Sequence, residues 1–265
     1  MRLKGKVAII TGGGKGIGKS ISLIFASEGA SIVVAARSLP ALESVVSQIK
    51  AQGGQAMAVQ TDITVEKQVE EMVAETIRRF GRIDVLVNNS GTIGPIANII
   101  DMNLADWKAV IESNLTGAMI CTREVLKHMV LNRSGSIVNI GSAAGMSGTP
   151  SRSAYCVSKF GIIGLTETAA IEVGEYNIRV NCISPAATGS EAFKESARAR
   201  AKGLGISPEE WMIKFNRLFS LKRIPVPSEI ASAAVFLASD EASGITGANL
   251  VVSCGYHILQ PSEIA

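Results

Sequence analysis

Short, almost wholly apolar runs alternate along the chain with longer stretches whose apolar positions recur at helical spacing. The runs at 7–10, 31–35, 56–60, 85–88, 136–140, 178–183 and 249–252 lack the alternation of a strand with one wet face. They predict strands buried on both sides, as in a parallel sheet. Residues 17–27, 39–51, 65–80, 104–130, 154–173 and 228–238 predict helices between them. Asn103 stands as a cap before the fourth helix with Asp106 three residues on, Ser228 opens the last with Glu229 in its first turn, and Gly29, Gly53, Gly81 and Gly174 fall where helices should stop. This repeated strand-helix-strand order is satisfied most simply by a doubly wound parallel sheet with helices on both faces.

Two segments escape the pattern, 92–103 and 186–227; the second includes a helical stretch at 208–219. Long excursions beyond strand carboxyl ends commonly build binding sites, so 186–227 is expected to select the substrate.

The length of 265 residues supports one domain spanning 1–265, and 47% hydrophobic with 18% charged residues suits a folded globular chain. The net charge of +3 has no basic run behind it, which excludes an evident nucleic-acid surface. No uninterrupted apolar stretch reaches membrane-spanning length, and the first residues lack a secretory signal. Cys121, Cys156, Cys182 and Cys254 are dispersed, and His128 and His257 complete a poor metal-ligand set. No metal is expected, the cysteines read as buried thiols, and the expected location is the cytoplasm.

Thr11-Gly12-Gly13-Gly14-Lys15-Gly16-Ile17-Gly18 joins the first strand to the first helix. Small residues let backbone approach a pyrophosphate, and a helix start offers free N–H groups with a positive dipole end. A Gly-rich run alone can be just a flexible turn; strand before and helix after favour dinucleotide binding. Gly13, Gly18, Lys19 and Ser20 also match a phosphate-transfer loop, but no Mg²⁺-binding Asp is evident at a strand end. After the second strand, where an acidic residue would receive the ribose of NAD(H), stand Arg37 and Ser38. With Lys15 they favour the 2′-phosphate of NADP(H), although each cation alone reads equally as a solvated surface group.

Tyr155 and Lys159 are four residues apart near the start of a predicted helix and share one face. A lysine cation beside a phenol lowers the cost of acid/base work near neutral pH. Ser142, just past a buried strand, is placed to hold a substrate oxygen or simply to cap a turn. Asn114 lies in the long fourth helix, where it fastens a local distortion or is a tolerated polar residue.

With these elements in order, the chain resembles the short-chain dehydrogenase/reductase family from Lys6 to about Gly255. The family's T-G-x-x-x-G-x-G stands as Thr11, Gly12, Gly16 and Gly18; its adenine-side Asp as Asp62, before Ile63; its N-N-A-G as Asn88-Asn89-Ser90-Gly91; and its catalytic Asn, Ser, Tyr and Lys as Asn114, Ser142, Tyr155 and Lys159. The resemblance implies a single-domain Rossmann fold. It implies a coenzyme site of Gly12, Gly14, Lys15, Gly16, Ile17, Gly18, Arg37, Ser38, Asp62, Ile63, Asn89, Ser90, Gly91, Tyr155, Lys159, Pro185 and Ser190. In such a site Tyr155 exchanges a proton with the substrate oxygen while nicotinamide exchanges hydride with its carbon. Lys159 lowers the tyrosine pKa and holds the ribose, Ser142 stabilises the reacting oxygen, and Asn114 positions the relay.

Departures from the family pattern are Pro185-Ala186 in place of Pro-Gly, Ser190 at the usual threonine, and Ser253-Cys254-Gly255 in place of Asp-Gly-Gly. On the substrate side, Ser142, Arg152, Tyr155 and Trp211 are candidates, with Arg152 pointing to an acidic group or merely supporting its loop. Trp211, Met212, Phe215 and Phe219 suggest an apolar lid or a subunit contact. The resemblance further implies a homotetramer or homodimer joined through the fourth and fifth helices, with the tail from Tyr256 to Ala265 covering a neighbour's site or fraying. The activity expected is an NADP(H)-dependent carbonyl reductase or alcohol dehydrogenase. Its competitors are a 3-oxoacyl thioester reductase of lipid synthesis, an NAD(H)-dependent alcohol, sugar or steroid dehydrogenase, and a non-catalytic nucleotide-sensing protein.

Overall fold

A computed structural model describes residues 1–256. Among them run the strands β1 (Val7–Thr11), β2 (Ser31–Ala36), β3 (Ala56–Gln60), β4 (Val85–Asn88), β5 (Gly135–Ile140), β6 (Ile178–Pro185) and β7 (Asn249–Val252), all parallel, in the order β3-β2-β1-β4-β5-β6-β7. The helices are α1 (Gly16–Ser27), α2 (Leu39–Ala51), α3 (Glu66–Phe80), α4 (Leu104–Ile111), α5 (Gly117–Asn132), α6 (Ser153–Val173), α7 (Glu191–Gly203), α8 (Pro208–Asn216) and α9 (Pro227–Ala238).

Successive strand residues point to opposite faces, and both faces are dry. Ala8, Ile10, Ile32, Val34, Val87 and Val138 pack with Ile21 and Phe25 of α1, Leu42 and Ile49 of α2, and Ile230 and Val235 of α9. Ile9, Val33, Leu86, Ile137 and Val180 pack on the other side with Met72 of α3, Val125 of α5 and Ala169 of α6. The chain is thus a single α/β Rossmann-like domain, and its strand order reverses between β1 and β4. Such a switch point opens a crevice at the carboxyl ends of the strands.

Several expectations are corrected. The helix predicted over 104–130 is two helices joined by a π turn, Glu112–Thr116. The last helix does not open on Ser228: Pro227, whose fixed φ and missing N–H suit a first turn, starts it after Val226. The Glu229 carboxylate then accepts the Val226 N–H at 2.8 Å. Gly174 keeps right-handed geometry, and a short 3₁₀ turn carries the chain to Asn177, which takes the left-handed φ of 58°. Residues 191–203, not predicted as helical, form α7. The stretch predicted at 208–219 ends its helix at Asn216. Asn103 does cap α4, its Oδ1 accepting the Ala105 N–H at 2.8 Å. The tail beyond Tyr256, with His257, lies outside the described residues.

Candidate active site

The Gly-rich turn sits at the switch point and is closed by hydrogen bonds from β4. Thr11 Oγ1 accepts the N–H groups of Asn89 at 3.0 Å and Ser90 at 3.1 Å, while Asn89 Nδ2 donates to the carbonyls of Thr11 at 3.0 Å and Gly12 at 3.2 Å. Gly12 and Gly16 take positive φ, 65° and 54°. A Cβ on Gly18 would overlap the Gly12 carbonyl oxygen and Asn89 Nδ2. Gly18→Ala is therefore expected to destabilise the fold by about 1–3 kcal/mol and weaken coenzyme binding, as read by thermal melting and a coenzyme titration. Lys19 and Ser20 lie inside α1, so the phosphate-transfer pattern is a coincidence of letters.

Residues around this turn suit a dinucleotide. The helix α1 starts with no side-chain cap and no acidic residue in its first turn, leaving its N-terminal N–H groups for an anion. Arg37, just past β2, and Lys15, just before α1, are exposed and neither pairs with a carboxylate among the described residues; Ser38 precedes α2 without making a cap bond. Asp62 is half-buried, with Oδ1 accepting from the backbone and hydroxyl of Thr64 at 3.0 and 2.8 Å. Ile63 is buried against Gly117 at the start of α5. On the opposite rim, Pro185 ends β6, and the Ser190 hydroxyl caps α7 by accepting the Phe193 N–H at 3.3 Å. A Cβ on Gly16 would lie 4.0 Å from Ser190 Cβ, so the loop after β6 meets the Gly-rich turn.

The acid/base residues converge past β4 and β5. The π turn brings Asn114 inward, where it is 1% exposed. Its Oδ1 accepts the Thr92 N–H at 2.7 Å, and its Nδ2 donates to the Thr92 carbonyl at 2.9 Å and to Ser158 Oγ at 2.9 Å. Ser158 in turn donates to the Tyr155 carbonyl at 2.7 Å. Thr92 and Ser158, unmarked in the sequence reading, therefore tie Asn114 to the start of α6; the signal for Ser158 was a small hydroxyl three residues after Tyr155. A Cβ on Gly91 would come within 3.0 Å of Asn114 Oδ1 and 3.9 Å of Lys159 Nζ, which places the β4 loop directly beside the pair.

Lys159 is buried and donates to the Ile140 carbonyl at 2.7 Å. Desolvation pushes its pKa down to about 8. Its Nζ lies 5.9 Å from the centre of the Tyr155 ring. Burial raises the Tyr155 pKa, against opposing pulls from the Ser142 hydroxyl and the Arg152 charge. Ser142 follows β5 and also accepts the Ala144 N–H at 3.2 Å. Desolvation outweighs those pulls, so the phenol stays a proton donor at neutral pH, as an ordinary tyrosine is. Trp211 is not on this wall. It is packed between α7 and α8, stacked on Phe215 at 4.7 Å and beneath Arg200 at 5.9 Å, and serves as the core of that helical pair.

Fold and site define a dinucleotide-binding domain with a half-buried phenol past its central strands, and known proteins share this architecture. A family model described as enoyl-(acyl carrier protein) reductase matches residues 12–257. The chain is 39% identical over 255 residues to 3-oxoacyl-(acyl-carrier-protein) reductase FabG of Thermotoga maritima, covering 93% of this chain and 96% of that one. It is 36% identical over 264 residues to glucose 1-dehydrogenase 2 of Bacillus subtilis, covering 99% and 98%. Among solved structures, levodione reductase superposes with a TM-score of 0.92 at 31% identity, covering 98% of this chain and 100% of that one. An NAD⁺-bound xylitol dehydrogenase gives 0.91 at 34%, covering 96% and 100%. The chain belongs to the short-chain dehydrogenase/reductase family of oxidoreductases, which work with a nicotinamide coenzyme. Among its described residues no helix is long and apolar enough to cross a membrane.

Proposed function

We propose that this enzyme is a cytoplasmic, NADP(H)-dependent reductase of carbonyl compounds, working in reverse on secondary alcohols, with Tyr155 as the proton donor. The observation that carries this is the Tyr155 phenol itself: half-buried, with Lys159 Nζ 5.9 Å from its ring and Ser142 beside it past the carboxyl end of β5. The bound coenzyme supplies or accepts hydride at the substrate carbon. Tyr155 gives its proton to the carbonyl oxygen, Ser142 steadies that oxygen, and Lys159 with Asn114 forms the path that returns a proton to the phenol. The complete set favours catalysis over a non-catalytic nucleotide sensor.

Exposed Lys15 and Arg37, unpaired among the described residues, together with Ser38 next to Arg37, support NADP(H). Likeness to an NAD⁺-bound dehydrogenase supports the second reading, NAD(H). Parallel kinetics with NADPH and NADH separate them. The wild type should prefer NADPH, and Arg37→Asp should lower kcat/KM with NADPH by about 10- to 100-fold. A wild-type preference for NADH by an order of magnitude would overturn the coenzyme assignment. Similarity to 3-oxoacyl-(acyl-carrier-protein) reductases makes 3-oxoacyl thioesters a natural arm of the substrate panel. A homotetramer or homodimer is proposed through α4–α6, supported by exposed Ile99, Ile100, Leu104, Val157 and Phe160.

A further inference from the structure

Both N–H donors of the Asn114 amide are spent inside the protein, one on the Thr92 carbonyl at 2.9 Å and the other on Ser158 Oγ at 2.9 Å. Its Oδ1 accepts the Thr92 N–H at 2.7 Å, which fixes the orientation of the amide, because a flip would set two N–H groups against each other. Asn114 therefore serves the site as a clamp on its own stretch of backbone, with no donor left for substrate or coenzyme. Ser158 is the part of the clamp that reaches α6.

Because Ser158 Oγ accepts from Asn114, its own proton goes to the Tyr155 carbonyl, 2.7 Å away. Asn114 and Ser158 are both buried, where solvent does not replace a lost partner. One hydroxyl thus joins the π turn at Glu112–Thr116 to the turn of α6 that carries Tyr155, one residue before Lys159. A second contact runs beside it: a Cβ on Gly161, three residues further along α6, would stand 2.6 Å from Leu115 Cδ2, so the π turn also packs on α6 there. The apolar contact sets the spacing of the two elements, and the hydrogen bonds of Ser158 set their register.

We propose that Ser158 is a positioning residue of the proton path: acting through Asn114, it holds the π turn in register with Tyr155 and Lys159, and its loss slows the return of a proton to the phenol. In each reduction Tyr155 gives its proton to the substrate oxygen, and the phenolate left behind recovers one from the Lys159 ammonium, which is recharged from solvent. That path spans the π turn and α6, so it depends on how the two are held together. The assignment rests on the hydride-transfer reading above and adds a residue to its proton path.

The test compares wild type, Ser158→Ala, Ser158→Thr, Asn114→Ala and the Ser158→Ala/Asn114→Ala double variant, using NADPH or NADH with ethyl 3-oxobutanoate, the N-acetylcysteamine thioester of 3-oxobutanoate and cyclohexanone as probe carbonyls. Ser158→Ala should lower kcat by about 10- to 100-fold while KM and the coenzyme dissociation constant stay within about threefold of wild type. Its solvent deuterium isotope effect on kcat should rise, and the effect of deuterating the transferring C4 of the coenzyme should fall toward one, because proton return becomes the slow step. Ser158→Thr, which keeps the hydroxyl, should recover most of the loss, and the double variant should be no slower than Asn114→Ala alone. A Ser158→Ala kcat within about twofold of wild type, unmoved isotope effects, losses that multiply in the double variant, or no recovery in a Ser158→Thr protein that melts as wild type would each overturn the positioning role and leave hydride transfer intact. Melting curves and coenzyme titrations guard against a loosened fold: stability or coenzyme binding lost in step with kcat would make Ser158 structural and overturn the role as well. No oxidation of either coenzyme by wild type with any of the three carbonyls would overturn the hydride-transfer reading, and the assignment with it.

Discussion

Tyr155→Phe is expected to bind NADPH as the wild type does and to lose roughly 10²–10⁴-fold in turnover. Phenylalanine keeps the ring that fills the space at the start of α6, and Ser142 keeps its bond from the Ala144 N–H at 3.2 Å. The coenzyme cradle, built on Thr11, Gly12, Gly18 and Asn89, is untouched. What disappears is the hydroxyl whose proton goes to the substrate oxygen. A coenzyme titration and steady-state turnover on one preparation check both halves. Turnover close to wild type would remove Tyr155 from the chemistry, and lost coenzyme binding would make its role structural.

Lys159→Met should separate stability from activity. Desolvation pushes the buried ammonium from its ordinary 10.5 down to about 8, so the folded protein gives up this proton more readily than the unfolded chain does. Below pH 8 both states are charged and the folded state bears the full cost of burial, about 3 kcal/mol. Between pH 8 and 10.5 the folded state loses the charge first, and that cost fades. Methionine fills similar space without charge but leaves the Ile140 carbonyl without its donor, which costs about 1 kcal/mol. The variant should therefore melt a few degrees above wild type at pH 7, with the gain shrinking toward pH 10, while turnover falls by about 10²-fold or more. Melting curves across that pH range check this, and a lower melting temperature at pH 7 would contradict it.

The sheet was legible because both its faces are covered: each strand is an uninterrupted apolar run, and every predicted strand lies within two residues of its observed bounds. The coenzyme turn was legible because glycine at Gly12 and Gly18 is forced by backbone contact, which leaves its mark in the letters. Helix α7 left no such mark. Ala197 and Ala201 are its buried residues in the α7–α8 cluster, too small to raise an apolar stripe above the surrounding charges. Trp211 was misplaced for a related reason: an aromatic residue in a variable segment reads alike whether it lines a site or packs two short helices together.

The catalytic residues were identifiable by type and order, but their couplings were not. No local pattern announces that Asn114 is held by the Thr92 backbone, that Ser158 joins it to Tyr155, or that Lys159 spends its bond on the carbonyl of Ile140. These partners come from the β4–β5 crossover, the β5–β6 crossover and the end of β5, and meet only when the strands are in register. The π turn at Glu112–Thr116 is equally silent, since its residues keep helical propensity while the extra residue turns Asn114 inward.

The central claim is hydride exchange with nicotinamide coupled to proton donation by Tyr155, and deuterium tracing tests it most directly. With NADPH stereospecifically deuterated at the transferring face of C4 and an accepted carbonyl substrate, wild type should place the label on the carbinol carbon of the product, and Tyr155→Phe should bind the same coenzyme and form labelled product roughly 10²–10⁴-fold more slowly. Unlabelled carbinol from the wild type, or label transfer at wild-type rate by Tyr155→Phe, would contradict the account.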